Sequence, residues 1–151
     1  MPTDNNEFSI HLAEVSCSSF SLSNDIKTDD LSPDSLGVGH RVTIEVLKND
    51  STVNVFTSLK YIINNKDVSE ITIKCRFKLS PFSEIIKFEN ESQTVNFEET
   101  LLYVIIPVAF STTRGYYNAK LENNPLYKYP YPIIQTDVLI KQVKILPRAN
   151  Q

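Results

Sequence analysis

A chain of 151 residues that is 41% hydrophobic and 22% charged suits a single soluble globular domain with its own core. Its formal charge of −3 speaks against nucleic-acid binding, which needs clustered positive charge, and no apolar run approaches the roughly 20 residues that cross a bilayer. The opening MPTDNNEFSI has neither the basic nor the apolar region of a secretory leader, so the expected location is cytoplasmic, without membrane insertion.

The first half reads as strands. Phe8, Ile10 and Leu12 share a face, and then Ala13, Val15 and Cys17 take the opposite phase, a one-residue slip that predicts a β-bulge. Residues 21–39 are polar and carry Pro33, Gly37 and Gly39, which predicts a long loop. RVTIEVL sets Val42, Ile44 and Val46 on one side and connects through Lys48, Asn49 and Asp50 to VNVFTSLKYII. There Val53, Val55, Leu59, Tyr61 and Ile63 alternate with outward residues. Asn64, Asn65, Lys66 and Asp67 supply turn chemistry. ITIKCRFKL then points Ile71, Ile73, Cys75, Phe77 and Leu79 one way. Lys74, Arg76 and Lys78 form a basic stripe on its other face, either solvated or facing an acidic partner.

The period then changes. FEETLLYVIIPVAFSTTRG places Leu102, Ile105, Ala109, Thr112 and Tyr116 on one helical face. Asn96 is a candidate cap, Glu98 and Glu99 suit the first turn, and Pro107 removes one backbone donor and should kink the helix. YVIIPVAF also fits a buried strand. Gly115 has two readings: a left-handed residue ending the helix after Arg114, or a small residue for close packing with the helix running on to Leu121. Beyond it, Tyr127, Tyr129 and Tyr131 alternate with Lys128, Pro130 and Pro132, and Ile133 and Ile134 follow. Prolines keep such a segment extended, and tyrosines give large contact area that tolerates water. The segment is either a surface for binding extended peptides or a connection whose rings cover the sheet or an oligomer interface.

The expected fold is therefore α+β: a four-stranded antiparallel sheet covered by a long proline-kinked helix. It forms one domain over 1–151, with a loop at 21–39 and a short tail at 145–151. One helix covers only part of the apolar sheet face, which points to self-association. Catalysis is not expected. His11 and His40 stand apart from any triad or metal pattern, three glycines make no phosphate-cradling loop, and the isolated Cys17 and Cys75 read as reduced thiols. No metal and no cofactor is anticipated.

In order and motif the chain resembles the SecB export chaperone family over about residues 8–143. LLYVIIPVAFSTTRG looks like that family's long first helix, with Pro107 at its helix proline and Arg114-Gly115 at its Arg-Gly. YPYPIIQTDVL resembles its Pro-rich segment leading into the last helix, and IHLAEVSCSSF its first strand, where an aspartate falls on Glu14. The resemblance implies an ATP-independent holding chaperone, a dimer of dimers that binds unfolded polypeptide clients through Tyr127, Tyr129, Tyr131, Ile133 and Ile134. It also implies Glu14 as a docking residue for the export motor SecA. The family's second acidic position falls on Ser18, and the tail is basic at Lys141, Lys144 and Arg148; looser relatives accompany toxin–antitoxin pairs. A dedicated-partner interaction protein on the same fold is the alternative.

Overall fold

The computed structural model describes residues 8–88 and 95–148. Its strands and helices are β1 (Ser9–Leu22), β2 (Leu36–Leu47), β3 (Thr52–Ile63), β4 (Lys66–Ser80), α1 (Phe82–Ile85), β5 (Ile86–Phe88), β6 (Val95–Phe97), α2 (Glu99–Lys120), α3 (Thr136–Gln142) and β7 (Lys144–Arg148). Short 3-10 turns cover Thr28–Asp30, Lys48–Asp50 and Pro125–Lys128. The architecture is α+β.

The main sheet runs β1-β4-β3-β2-β7, with β5 and β6 as a separate pair. Four of its strands are antiparallel, and the fifth, β7, pairs in parallel with β2 from Thr43↔Lys144 to Leu47↔Arg148. This corrects the expected four-stranded sheet. It also corrects the tail, which is a strand as far as Arg148; residues 149–151 lie outside the described residues. The expected loop is shorter as well, because β1 reaches Leu22 and β2 begins at Leu36. Gly37 and Gly39 are strand residues. At Gly39 a Cβ would come within 2.7 Å of Lys60 Cε on the neighbouring strand, so the glycine serves close side-chain approach rather than a turn.

The β3–β4 hairpin closes as its sequence predicts. Asn64 and Asn65 both have positive φ, 52° and 63°, with Ile63 paired to Lys66, the backbone of a two-residue turn that asparagine tolerates. The phase slip in β1 is also present: register shifts fall between Leu12 and Glu14 and between Cys17 and Ser19. Two slips keep Ile10, Leu12, Val15, Cys17, Phe20 and Leu22 opposite the core-facing residues of β4. Cys17 and Cys75 are free thiols.

The core lies between one sheet face and α2. Val53, Val55, Leu59, Ile71, Ile73, Cys75 and Phe77 meet Leu101, Ile105, Ile106, Ala109, Phe110 and Tyr117. α2 is a single helix through Pro107, so the strand reading of YVIIPVAF does not hold. Its buried face is one residue out of step with the expected one towards its end, since Thr113 and Tyr117 are buried while Tyr116 is exposed. Asn96 is not the cap: it belongs to β6, and Glu98 occupies the cap position without a side-chain capping bond. Neither end-of-helix geometry nor tight packing applies at Gly115, because the helix runs on to Lys120 and a Cβ there would meet no atom within 4 Å.

Candidate functional site

The segment after α2 is held extended by Pro130 and Pro132, so its carbonyls have no helical or sheet partners of their own. Side chains from the rest of the fold satisfy two of them. The Tyr61 hydroxyl donates to the Tyr129 carbonyl at 2.6 Å, and Arg114 Nε donates to the Tyr131 carbonyl at 3.2 Å. In the other direction the Tyr129 hydroxyl donates to the Leu31 carbonyl at 3.2 Å, and the Tyr131 hydroxyl donates to the Gly39 carbonyl at 2.7 Å. The concentration of tyrosine is thereby explained: two of the three rings are bolts that fasten the segment to the sheet and to the 23–35 connection.

The five residues expected to meet clients thus have different surroundings. Tyr131 is 4% exposed and sits in an aromatic cluster with Tyr61, Phe110 and Tyr117, ring centroids 5.7 to 6.4 Å away. Tyr129 and Ile134 are half-buried against the core. Tyr127, at 45%, and Ile133, at 78%, face outward. Ile133 is the most exposed large apolar side chain among the described residues.

Burial sets the acidity of the cluster. It pushes the Tyr61 phenol up to about 12, against the opposing pull of the Arg114 charge, and it raises Tyr117 and Tyr131 further still. The buried Tyr117 hydroxyl makes no close hydrogen bond among the described residues, and the nearby Ser69 side chain offsets only a small part of the rise that burial causes. Between α2 and the segment a cavity of about 310 Å³ opens, with Arg114 and Gly115 on its helical wall and Tyr131 on the other. Tyr61 and Arg114 are the residues that sequence reasoning passed over as core and helix end. The signal was present in Tyr61, a hydroxyl on a strict core alternation that needs a buried partner.

Glu14 lies on the other, outer face of the sheet, beside the outward residues of β4. Its carboxylate meets Lys74 Nζ at 3.2 Å and Arg76 at 3.6 Å, so the basic stripe of β4 faces an acid of its own chain. Arg76 Nε continues to Asn54 Oδ1 at 3.2 Å, and Asn54 donates to Glu45 at 3.3 Å, a polar ladder across β1, β4, β3 and β2. α3 is tied on by Tyr103 to Asp137 at 2.8 Å and by Gln142 to His40 at 2.7 Å. Among the described residues no group of three or more His, Cys, Asp or Glu is placed to hold a metal ion, and no helix is long and apolar enough to cross a membrane. Compared with known proteins, the chain matches no family model and no curated protein.

Proposed function

We propose that this chain is a SecB-like holding chaperone, which binds extended apolar stretches of unfolded polypeptide in the cytoplasm without nucleotide. The observation that carries the reading is Ile133: a large apolar side chain 78% exposed, on a proline-fixed extended segment whose backbone is fastened from below by Tyr61 and Arg114. A holding surface needs apolar groups presented on a backbone that does not collapse onto them. Tyr127 adds an exposed ring as a second apolar group, and Ile134 a half-buried edge, whereas Tyr129 and Tyr131 act as supports.

Assembly as a dimer of dimers is part of the proposal. β1 is an edge strand of 14 residues with one side unpaired in the sheet, and the outer face of α2 shows Tyr103, Val104, Val108 and Tyr116. Both are surfaces that self-association would cover. Docking of SecA through Glu14 would have to compete with Lys74 and Arg76.

The test is suppression of aggregation of two unrelated, chemically unfolded proteins at near-stoichiometric chaperone, with no nucleotide. Suppression of both, lost in Ile133→Ser and Tyr127→Ser variants of unchanged stability, supports the reading. If neither protein is protected, the chain serves one dedicated partner instead. If both are protected equally by the variants, clients bind elsewhere.

A further inference from the structure

Gly115 lies inside α2, where glycine costs a helix roughly 0.5–1 kcal/mol relative to alanine. Nothing in the backbone requires it, since no glycine of the described residues has positive φ. Nothing packs against it either, since an added Cβ would have no heavy atom within 4 Å beyond its chain neighbours and its own turns of helix backbone. What the missing methyl preserves is space, and that space belongs to the cavity of about 310 Å³ between α2 and the 130–131 segment.

The chemistry of the walls is specific. Ser111, Arg114 and Asn118 line the cavity and lie three and four residues apart, which puts them on one stripe of the helix with Gly115 bare between them. Opposite them are Pro130 and the rings of Tyr61 and Tyr131. No acidic residue lines the cavity, and no ion pair among the described residues involves Arg114. A guanidinium has five N–H donors in a planar fork, and here the Nε donor goes to the Tyr131 carbonyl. That bond fixes the plane of the fork and leaves its remaining donors without an anionic partner. The charge is felt within the site, where it pulls on the Tyr61 phenol.

We propose that this cavity binds a carboxylate borne on an apolar or aromatic body, with Arg114 gripping the carboxylate, Ser111 and Asn118 donating to it, and the tyrosine rings and Pro130 receiving the body. A carboxylate fits better than a phosphate, because a single arginine with no lysine beside it matches one negative charge and the fork geometry of two oxygens. The volume is at the lower end of ligand sites, enough for a group of about one residue. Two sources offer that chemistry: the C-terminal residue of a polypeptide, or a free small aromatic acid. The assignment stands independently of the chaperone reading, since a protein that suppresses no aggregation would still have the cavity.

Calorimetric titration tests it on the full chain, using N-acetylphenylalanine, its uncharged amide, benzoate, and a short peptide ending in phenylalanine with a free or amidated C-terminus. Saturable binding of the acids is expected, with a loss of about tenfold or more for the amides, as for removal of a charge-assisted hydrogen-bonded pair. Arg114→Gln should reproduce that loss. Gly115→Leu, a good helix former whose side chain extends into the open space, should block every acid while leaving the helix at least as stable. Tighter binding of the free peptide than of benzoate identifies a chain terminus as the occupant, and the reverse order identifies a small acid. Equal binding of acids and amides, no saturable binding of any acid up to about 10 mM, or full binding by Gly115→Leu would each overturn the proposal.

Discussion

The Tyr61 hydroxyl, on the central strand β3, donates a 2.6 Å hydrogen bond to the backbone carbonyl of Tyr129, 68 residues further along the chain. The bond joins the core of the sheet to a segment that has no secondary structure of its own to satisfy that carbonyl. Tyr61→Phe keeps the ring and its contacts with Tyr117 and Tyr131 but strands a part-buried acceptor. The expected loss is about 1–3 kcal/mol, read as a lower denaturant midpoint. Amide exchange should quicken first at Tyr129, the residue of this segment whose N–H donates to a backbone carbonyl, that of Leu126 at 2.9 Å. Uniform loss of protection across the sheet, with none concentrated in that segment, would show that the hydroxyl does not fasten it.

Gly115→Ala should stabilise the protein. The residue is in regular helix, its Cβ would meet nothing, and alanine removes the backbone entropy of glycine from the unfolded chain. A gain of about 0.5–1 kcal/mol is expected, measured as a rise in denaturant midpoint at unchanged slope. A destabilised Gly115→Ala would mean that the helix at Arg114 is held in a geometry that alanine does not tolerate.

What the sequence made legible follows from how local each signal is. β4 alternates strictly because it pairs on both sides and has one face on the core, so its inward set of Ile71, Ile73, Cys75, Phe77 and Leu79 is readable residue by residue. The Asn64-Asn65 turn and the slip near Ala13 are equally local. β7 was invisible, since its only pairing among the described residues is a parallel one with β2, about a hundred residues earlier in the chain, and five residues carry no periodicity that demands it. The start of β2 was hidden by two glycines that normally break strands, one of which lies beneath the Lys60 side chain. In α2 both Thr112–Tyr116 and Thr113–Tyr117 satisfy helical spacing from Ala109. Only the Tyr61 and Phe20 rings packed against Tyr117 decide between them. The candidate site was legible as a place, the 127–134 segment, but not as a division of labour, because exposure within it depends on partners at Leu31, Gly39, Tyr61 and Arg114.

Stability should fall at alkaline pH for a defined reason. Burial favours the neutral form of each group, raising Cys75 from 9.0 to about 11 and Tyr61 from 10.0 to about 12, with Tyr117 and Tyr131 raised too. The unfolded chain releases these protons first, so the folded state keeps its full stability below about pH 9 and loses it as pH rises. The loss should begin with Cys75 above 9 and deepen above 10 as the tyrosines join, at no more than about 1.4 kcal/mol per pH unit per group. Denaturant midpoints taken stepwise from about pH 8 to about pH 11, with tyrosinate absorbance at each step, should show the fall. Cys75→Val should delay its onset to the tyrosine range. A flat profile through pH 11 would show that the buried hydroxyls and thiol ionise without unfolding.

The ladder on the outer sheet face makes a prediction about rank. Glu14, Lys74 and Arg76 keep 43%, 21% and 36% of their side-chain surface in solvent, so their attraction is screened and worth less than about 1 kcal/mol. Asn54 is different. It is buried, and its amide accepts from Arg76 while donating to Glu45, so its removal takes a partner from two charged groups at once. Glu14→Gln should therefore cost under about 1 kcal/mol, and less in high salt. Asn54→Ala should cost about 1–3 kcal/mol with little dependence on salt. Urea midpoints of both variants at low and high ionic strength decide the matter. If Glu14→Gln is the more damaging, the ladder is anchored at its β1 end, and an edge strand with two register shifts is held on the sheet mainly by charge.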